Sequence, residues 1–205
     1  MIGIINYGTG NIRSVTNAVT YCTDQPVMVV DRPGDLDACS KLILPGVGAF
    51  GKAMAQIREK GFDSAIQEQV KKGKYVLGIC LGMQLLAGES HEFGSCAGLD
   101  LIPGEIRALD RGSKDLRIPH MGWNHIDINT LDPIFHGISN QTDFYFAHSY
   151  CFDPENTGHV LAKTGYGIEF ASVIGKDNVY GVQFHPEKSQ GAGLALINNF
   201  VGFKS

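Results

Sequence analysis

Short apolar runs bounded by Gly or Pro recur along the first half of the chain, and they constrain its fold more than any other feature. They have the length and composition of strands buried on both faces: Ile2–Ile5, Val27–Val30, Leu42–Leu44 and Tyr75–Ile79. Helical candidates lie between them: Asn11–Tyr21, Phe50–Glu59 and Ser64–Lys72. Because strands that alternate with helices form a parallel sheet covered on both sides, the sequence predicts an α/β fold, a three-layer αβα sandwich.

The second half of the chain changes character, with strand-like segments separated by Gly, Asn, Asp or Pro. These segments are Phe144–Ala147, Val160–Lys163, Phe170–Ile174 and Val179–Phe184. Asp177-Asn178 is typical of a turn between two of them. Only the tail, Gly193–Phe203, has a helical pattern. We therefore expect the C-terminal part to add antiparallel strands to the same central sheet, which becomes mixed but remains mostly parallel.

Length and composition indicate one globular domain spanning residues 1–205. The chain has 205 residues, 43% apolar and 19% charged, and no segment of it reads as a linker. The formal net charge of −4 favours neither nucleic acid nor an anionic membrane surface as a partner. No apolar run approaches the roughly 20 residues needed to cross a bilayer.

The N-terminal sequence and the cysteines both bear on location. The opening MIGIINYGTG lacks the basic and apolar regions of a signal peptide. The five cysteines are scattered without regular spacing, which favours free thiols over a disulfide framework. We therefore expect a cytoplasmic protein.

The segment Tyr75–Gln84, YVLGICLGMQ, has the pattern of a nucleophile elbow with Cys in place of Ser. An apolar strand leads to Gly78, Cys80 and Gly82, and a helix is expected over Met83–Ala87. Glycines two residues either side of the nucleophile relieve crowding where the chain turns sharply, and a helix dipole favours a thiolate at its N-terminus. The alternative interpretation of a lone cysteine is a buried structural residue at a strand end.

A second segment, GVQFHPEKS, ends a predicted strand with His185, Pro186 and Glu187. Proline disfavours helical dihedrals at the residue before it, and residues two apart in an extended chain point to one side. Glu187 is therefore expected to reach the His185 imidazole and orient it towards a nucleophile. The alternative is a solvated turn that happens to contain these residues.

A third segment, Pro45–Gly48 or PGVG, directly follows the Leu42–Leu44 strand. Elbow enzymes take a second oxyanion donor from a neighbouring strand loop, and a glycine-rich loop exposes backbone N–H groups. The alternative is an ordinary βα turn. If all three segments lie at carboxyl ends of parallel strands, they converge on one site.

Together these segments resemble the class I, or triad-type, glutamine amidotransferases. The resemblance rests on GICLGMQ, QFHPEKS and LPGVGAF, and it narrows to the glutamine amidotransferase subunits of imidazole glycerol phosphate synthase through YGTGNIRSV, PHMGWN and YFAHSY. It extends from Met1 to the C-terminal helix. One departure is Asn6, where the family commonly has Asp, at a position that is not catalytic.

The resemblance implies a role for each matching residue. Cys80 would form a γ-glutamyl thioester, His185 would act as general base and acid, and Glu187 would orient His185. The oxyanion would be held by backbone groups of Leu81, Gly46, Val47 and Gly48. Glutamine would be bound by Gln84, Glu92, Ser149 and Tyr150. For Glu92, a solvated acid in the polar Glu89–Glu92 stretch is the alternative.

The resemblance also implies a partner. Subunits of this kind pair with a (β/α)₈-barrel cyclase as a heterodimer, and ammonia passes to it through the interface. The cyclase then makes imidazole glycerol phosphate and aminoimidazole carboxamide ribotide. Residues at partner-facing positions are Asn11, Met121, Trp123 and Lys188. Core packing is the alternative for Trp123. No cofactor is implied, and none of the histidines has the spacing of a metal ligand.

Three alternatives remain open on the sequence. Another thiol hydrolase would share the elbow and a histidine, although Gln84 and the PGVG segment argue against it. A subunit with a decayed triad would only bind a partner, although Cys80, His185 and Glu187 are all present. A paralogue would feed ammonia to a related barrel synthase in amidino-sugar or surface polysaccharide synthesis, with the same glutamine chemistry.

Overall fold

The computed structural model describes residues 1–110 and 116–204, and its strands and helices alternate over the first half as the sequence predicts. The strands are β1 Ile2–Ile5, β2 Val27–Val30, β3 Lys41–Gly46, β4 Tyr75–Cys80, β5 Glu89–Ser90, β6 Cys96–Ala97, β7 Gly104–Ala108, β8 His120–His125, β9 Asp127–Ile128, β10 Asp143–His148, β11 Tyr150–Pro154, β12 Val160–Tyr166, β13 Ile168–Lys176 and β14 Val179–Val182. The helices are α1 Ile12–Cys22, α2 Phe50–Glu59, α3 Phe62–Lys71, α4 Leu81–Gln84 and α5 Gln190–Val201.

The main sheet has eight strands in the order β2-β1-β3-β4-β14-β13-β12-β9. From β2 to β14 all neighbours are parallel, whereas β13, β12 and β9 continue the sheet antiparallel. The predicted mixed, mostly parallel sheet is therefore confirmed. The turn at Asp177-Asn178 is also present, with Asp177 at φ 52°.

Two apolar cores lie on opposite faces of this sheet, as an αβα sandwich requires. Ile4 and Ile79 pack in the core that includes α1 and α5. Ile5 and Val76 face the core that includes α2 and α3. Because successive side chains of a strand point to opposite faces, strands that are apolar throughout supply both cores at once.

Two expectations about the second half are wrong. The segment Phe144–Ala147 does form a strand, β10, but it pairs with β8 in a separate two-stranded antiparallel sheet. The segment Val179–Phe184 contributes β14, which pairs antiparallel with β13 as expected but runs parallel to β4 on its other side. The physical reason is that β14 fills the place beside β4, where its apolar residues are buried on both faces.

A further small sheet has the order β11-β7-β5-β6, and the sequence did not indicate it. Its strands are short and partly polar, so they lack the apolar signature of the central strands. Among the described residues, no helix combines the length and the apolar character needed to cross a membrane.

Candidate functional site

Cys80 is the last residue of β4 and has φ 55° and ψ −111°, a conformation that residues with a side chain rarely adopt. The flanking glycines make this turn possible. A Cβ on Gly82 would lie 1.7 Å from the carbonyl oxygen of Leu44, and one on Gly78 would lie 2.6 Å from that of Gly82. The sequence therefore folds locally into a strained strand-to-helix elbow.

The helix that follows the elbow is shorter than expected. The prediction placed it over Met83–Ala87, but α4 covers only Leu81–Gln84 and is followed by hydrogen-bonded turns to Ala87. A macrodipole sums over aligned peptide units, so one turn contributes little of it. The stabilisation of a Cys80 thiolate that the dipole of this helix can supply is therefore small.

His185 and Glu187 lie just beyond β14, the strand that pairs with β4. His185 Nδ1 is 2.9 Å from Glu187 Oε1, and the two side chains are 4% and 1% exposed. Asn11 Nδ2 donates to the same Glu187 oxygen at 3.4 Å. Glu187 Oε2 is buried without a hydrogen-bond partner among residues 1–110 and 116–204, so the carboxylate's bonds converge on the oxygen that holds His185.

The backbone around His185 is fixed on both sides. Its N–H donates to the carbonyl of Tyr145 in β10 at 2.9 Å. Its carbonyl accepts a bond of 2.7 Å from the Ser189 hydroxyl. His185 itself is extended, at φ −102° and ψ 94°, as the following proline favours.

The pKa of His185 reflects opposing effects. Burial lowers the pKa, but the interactions with Cys80 and Glu187 raise it by a larger amount. The net effect raises the pKa of His185 to about 9. Since Nδ1 is bonded to Glu187, the ring nitrogen available to Cys80 is the other one, Nε2. The structure thus brings the thiol, the imidazole and the carboxylate together at one site, with His185 hydrogen-bonded to Glu187.

Gln183 is a neighbour of the thiol that the sequence did not single out. Its Nε2 is 4.0 Å from Cys80 Sγ, and its side chain is fully buried. Gln183 stands two residues before His185, so strand alternation places both on one face of the chain. That spacing was the signal that could have identified it. Ala147 O also contacts the sulfur, at 3.9 Å.

A cavity of 540 Å³ opens in front of Cys80. Eleven of the fifteen residues proposed from the sequence line it: Val47, Gly48, Cys80, Leu81, Gln84, Glu92, Met121, Ser149, Tyr150, His185 and Lys188. The other four lie outside its lining. Glu187 is behind His185 and Asn11 is behind Glu187. Gly46 is buried beside the elbow, and Trp123 is half exposed on β8.

The PGVG segment lies against the elbow. Gly46 and Cys80 are paired residues of adjacent parallel strands. A Cβ on Gly46 would be 2.6 Å from the Tyr7 hydroxyl and 3.0 Å from the amide nitrogen of Gly82. Gly48 has φ 98°, a value that favours glycine. The close approach of this loop to the elbow thus depends on residues without side chains.

Gln84 and Glu92 have well-defined partners. Gln84 Nε2 donates to Tyr150 O and to Gln183 Oε1, each at 3.0 Å. Because a primary amide has two N–H donors, this leaves the Gln84 carbonyl oxygen as its remaining acceptor. Glu92 Oε2 accepts a bond of 2.6 Å from the N–H of Phe50, the first residue of α2.

His148 also lines the cavity, but it is not placed to act as a base. Its Nδ1 is 2.8 Å from Tyr150 O and its Nε2 is 3.0 Å from His120 Nδ1. Both ring nitrogens are thus occupied, and burial lowers the pKa of His148 to about 3. His185 is the imidazole that faces the thiol.

Outside the cavity, Glu89, His91 and Glu105 converge, with ligand atoms within 4.8 Å of one another. The spacing of these residues along the chain did not indicate a metal site, because Glu105 comes from a different strand. Arg107 lies 3.1 Å from Glu105 and already neutralises part of the cluster.

Comparison with known proteins places the chain in a family. Residues 5–202 match the class-I glutamine amidotransferase family. The imidazole glycerol phosphate synthase subunit HisH of Moorella thermoacetica is 48% identical over 97% of this chain and 93% of the relative. The subunit of the same description from Chlorobaculum tepidum is 44% identical over 99% of this chain and 100% of the relative.

Solved structures agree in fold. A crystal structure of a glutamine amidotransferase superposes with a TM-score of 0.76 at 19% identity, over 98% of this chain and 96% of that one. The PurLQS structure from Thermotoga maritima gives 0.74 at 17% identity, over 98% and 96%. The chain therefore belongs to the class-I glutamine amidotransferase family, among the HisH subunits of imidazole glycerol phosphate synthase.

Proposed function

We propose that this chain is the glutaminase subunit of an imidazole glycerol phosphate synthase and supplies ammonia for histidine biosynthesis. The observation that carries the proposal is that Cys80 and His185 line one cavity while Glu187, behind His185, is hydrogen-bonded to its Nδ1 at 2.9 Å. Relatives that are 44–48% identical over nearly the whole chain are imidazole glycerol phosphate synthase subunits, which supports the pathway. The substrate is glutamine, and the products of the half-reaction are glutamate and ammonia.

In the first half of the reaction, Cys80 Sγ attacks the side-chain amide carbon of glutamine. The thiol proton passes to His185 Nε2, and Glu187 stabilises the imidazolium through Nδ1. The tetrahedral intermediate collapses when His185 returns the proton to the leaving nitrogen. Ammonia departs, and a γ-glutamyl thioester remains on Cys80.

In the second half, His185 accepts a proton from a water molecule that attacks the thioester carbonyl. The new tetrahedral intermediate expels the Cys80 sulfur, which recovers the proton. Glutamate is released and the enzyme returns to its starting state. No other co-reactant is required.

Backbone groups on both sides of Cys80 are proposed to hold the oxyanion. Leu81 follows the nucleophile directly, and Gly46, Val47 and Gly48 form the adjacent loop. Removal of one such donor typically lowers the rate by about 10²–10³-fold. A loop whose glycines tolerate more than one conformation also gives the partner a means of control over the glutaminase.

Glutamine is proposed to bind through its amino-acid end in the outer cavity. The Gln84 carbonyl oxygen is an acceptor for the substrate ammonium, because both Gln84 N–H groups are used by the protein. Glu92 adds a carboxylate for the same charge. Ser149 and Tyr150 also line the cavity.

The partner is proposed to be a (β/α)₈-barrel cyclase, which forms a heterodimer over the mouth of the cavity. Met121 and Trp123 are 63% and 50% exposed on β8, beside that mouth. Lys188 lines the cavity and lies 5.8 Å from the Tyr145 ring centre. Asn11 is also proposed to face the partner, and its side chain donates a hydrogen bond to Glu187.

The domain organisation and the location of the chain are also proposed. We infer that residues 1–205 form a single domain, because β1 from the N-terminus and β14 from near the C-terminus share one sheet. The five free cysteines suit a reducing compartment, which supports a cytoplasmic location.

The decisive experiment measures glutamate release by the chain mixed with a histidine-pathway cyclase, with and without the cyclase's nucleotide substrate. Cys80→Ala serves as the blank. Strong stimulation that the blank lacks is the expected result. If Cys80 reacts with a glutamine analogue but the cyclase gives no stimulation, the glutaminase remains and the acceptor belongs to a related barrel synthase.

A further inference from the structure

Two buried histidines connect strand β8 with the glutamine cavity. His120 is on β8 and is 2% exposed, and His148 ends β10 and is 5% exposed. His120 Nδ1 lies 3.0 Å from His148 Nε2. The reaction steps above use neither ring, so their hydrogen bonds require another explanation.

The direction of each hydrogen bond follows from the chemistry of the end groups. Tyr150 O is a carbonyl and only accepts, so His148 Nδ1, at 2.8 Å, carries the hydrogen. Burial lowers the pKa of His148 to about 3 and that of His120 to about 4, so both rings are neutral near pH 7. A neutral imidazole has one donor and one acceptor, and His148 Nε2 is therefore an acceptor.

The hydrogen bonds beyond His148 have the same direction. His120 Nδ1 must donate to His148 Nε2, so His120 Nε2 accepts. Its donor is Asn124 Nδ2 at 3.3 Å, which also donates to Gly165 O at 3.1 Å. The result is a one-way chain of donors from Asn124 through His120 and His148 to Tyr150 O.

At its inner end this chain meets a glutamine-binding group. Tyr150 O accepts from both His148 Nδ1 and Gln84 Nε2, which uses both lone pairs of that carbonyl. Gln84 in turn donates to Gln183, the residue beside the Cys80 sulfur. The position of the Gln84 carbonyl oxygen thus depends on a carbonyl that the histidine chain orients.

The ring of His120 is held in place by stacking. It lies between Tyr166, with ring centres 4.0 Å apart, and Phe146, at 4.9 Å. Its interplanar angles with them are 24° and 23°. A phenylalanine would preserve this stacking but supply neither donor nor acceptor, so the hydrogen bonds can be tested separately from the packing.

We propose that His120 and His148 are positioning residues that set the glutamine affinity of the cavity through Tyr150 O and Gln84. This rests on the proposed glutaminase function. Because His120 lies on the same strand as Met121 and Trp123, a displacement of β8 is transmitted to the glutamine site by the same bonds. Neither histidine touches the reacting atoms, so they affect binding and not the chemical step.

The test is the concentration dependence of Cys80 inactivation by acivicin, a glutamine analogue, which separates the inhibition constant from the maximal inactivation rate. His120→Phe is expected to raise the inhibition constant about tenfold, since a buried histidine acceptor loses its donor. The maximal rate changes less than about twofold. His120→Asn restores a donor near the Nδ1 position and recovers most of the affinity.

His125→Phe is the matched control, because it makes the same substitution on the same strand at an exposed histidine. It should leave the inhibition constant unchanged. The rate of Cys80 alkylation by iodoacetamide, which needs no glutamine site, should be equal in all variants. Asn124→Ala, at a half-buried residue, provides a second variant that should fold and should raise the constant about twofold.

An unchanged inhibition constant in His120→Phe, or in Asn124→Ala where His120→Phe does not fold, overturns the proposal. An equal rise in His125→Phe also overturns it, because the effect would then be general to β8. If the glutaminase assignment itself is wrong, the result differs: the inactivation rate of the wild-type chain will not saturate as the acivicin concentration rises.

Discussion

At the scale of single residues, His185 is held between two groups that favour its protonated ring. Burial acts against the charge, but the bonds to Cys80 and Glu187 raise the pKa to about 9. A raised pKa lets His185 hold the proton that it takes from the Cys80 thiol until it passes that proton to the leaving nitrogen. The same shift links the site to folding stability.

The free energy of unfolding should therefore depend on pH through His185. A raised folded-state pKa stabilises the protein fully below the unfolded value of about 6.5, and this contribution disappears as pH rises towards 9. The advantage of wild type over His185→Asn should shrink between pH 6.5 and pH 9, by up to about 3 kcal/mol. Urea unfolding of both proteins across this range measures it. A constant difference would contradict the raised pKa.

Glu187→Gln should lower kcat by on the order of 10²-fold or more with little effect on KM. The amide cannot stabilise the His185 imidazolium, although the ring remains in place. Glutamate release as a function of glutamine concentration provides both constants. Glu59→Gln, at an exposed residue of α2, is the control and should behave as wild type. A variant whose KM rises while kcat is retained would argue against the orienting role.

The catalytic residues proposed here could be predicted from the sequence because each lies in a short motif. Cys80 is between two glycines, and His185 and Glu187 bracket a proline. It did not reach Gln183, whose contact with the sulfur depends on how β14 lies beside β4. It also could not pair His120 with His148, because their contact requires the antiparallel register of β8 and β10.

At the scale of elements, the elbow between β4 and α4 depends on close backbone contacts. The chain turns at Cys80, and Gly82 passes against the carbonyl of Leu44 in β3. The closeness follows from sheet geometry, since Gly46 and Cys80 are paired across the two strands. Any side chain at Gly82 must therefore push the elbow away from the end of β3 and the PGVG segment.

Gly82→Ala should destabilise the fold by about 3 kcal/mol or more and abolish glutaminase activity. The added Cβ would be 1.7 Å from Leu44 O, which is backbone and cannot rotate away. Gly191→Ala is the matched control, since a Cβ there meets no atom within 4 Å and lies in α5. Chemical denaturation should show Gly191→Ala to be unchanged or slightly stabilised. Equal stability of the two variants would contradict the close approach.

Elements were predictable where the pattern was strong and local. The buried parallel strands and α1 to α3 were found within a few residues of their bounds. The helix after the elbow was misjudged, because the turns after Gln84 continue its hydrogen bonding only in part. Strand β10 was predicted, but the sheet that it joins was not. Its pairing with β8 depends on tertiary packing, which the pattern of apolar and polar residues along the strand does not specify.

At the scale of the whole molecule, the cavity is assembled from segments distant in sequence. The elbow comes from β4, His185 follows β14, and the outer wall comes from β10 and β11. The sequence predicted that strand ends would converge, because carboxyl ends of parallel strands share one edge. It did not predict that two small sheets would close the cavity from outside.

The exposed side of β8 gives a prediction about assembly. Trp123→Ala should weaken the complex with the proposed barrel cyclase about thirtyfold, since a buried aromatic anchor typically contributes about 2 kcal/mol or more. Tyr21→Ala is the control, because Tyr21 is 79% exposed near the far end of α1 from Asn11. Isothermal titration of each variant with the cyclase measures both affinities. Equal losses of affinity in the two variants would show that Trp123 does not lie in the interface.

The most direct measurement is a quenched single turnover with radiolabelled glutamine, followed by recovery of the Cys80 peptide. Wild type should carry label on Cys80 in the acid-stable thioester, Glu187→Gln should carry it more slowly, and Cys80→Ala should carry none. Glutamate release by Cys80→Ala at the wild-type rate, or label on any residue other than Cys80, would contradict the proposed nucleophile.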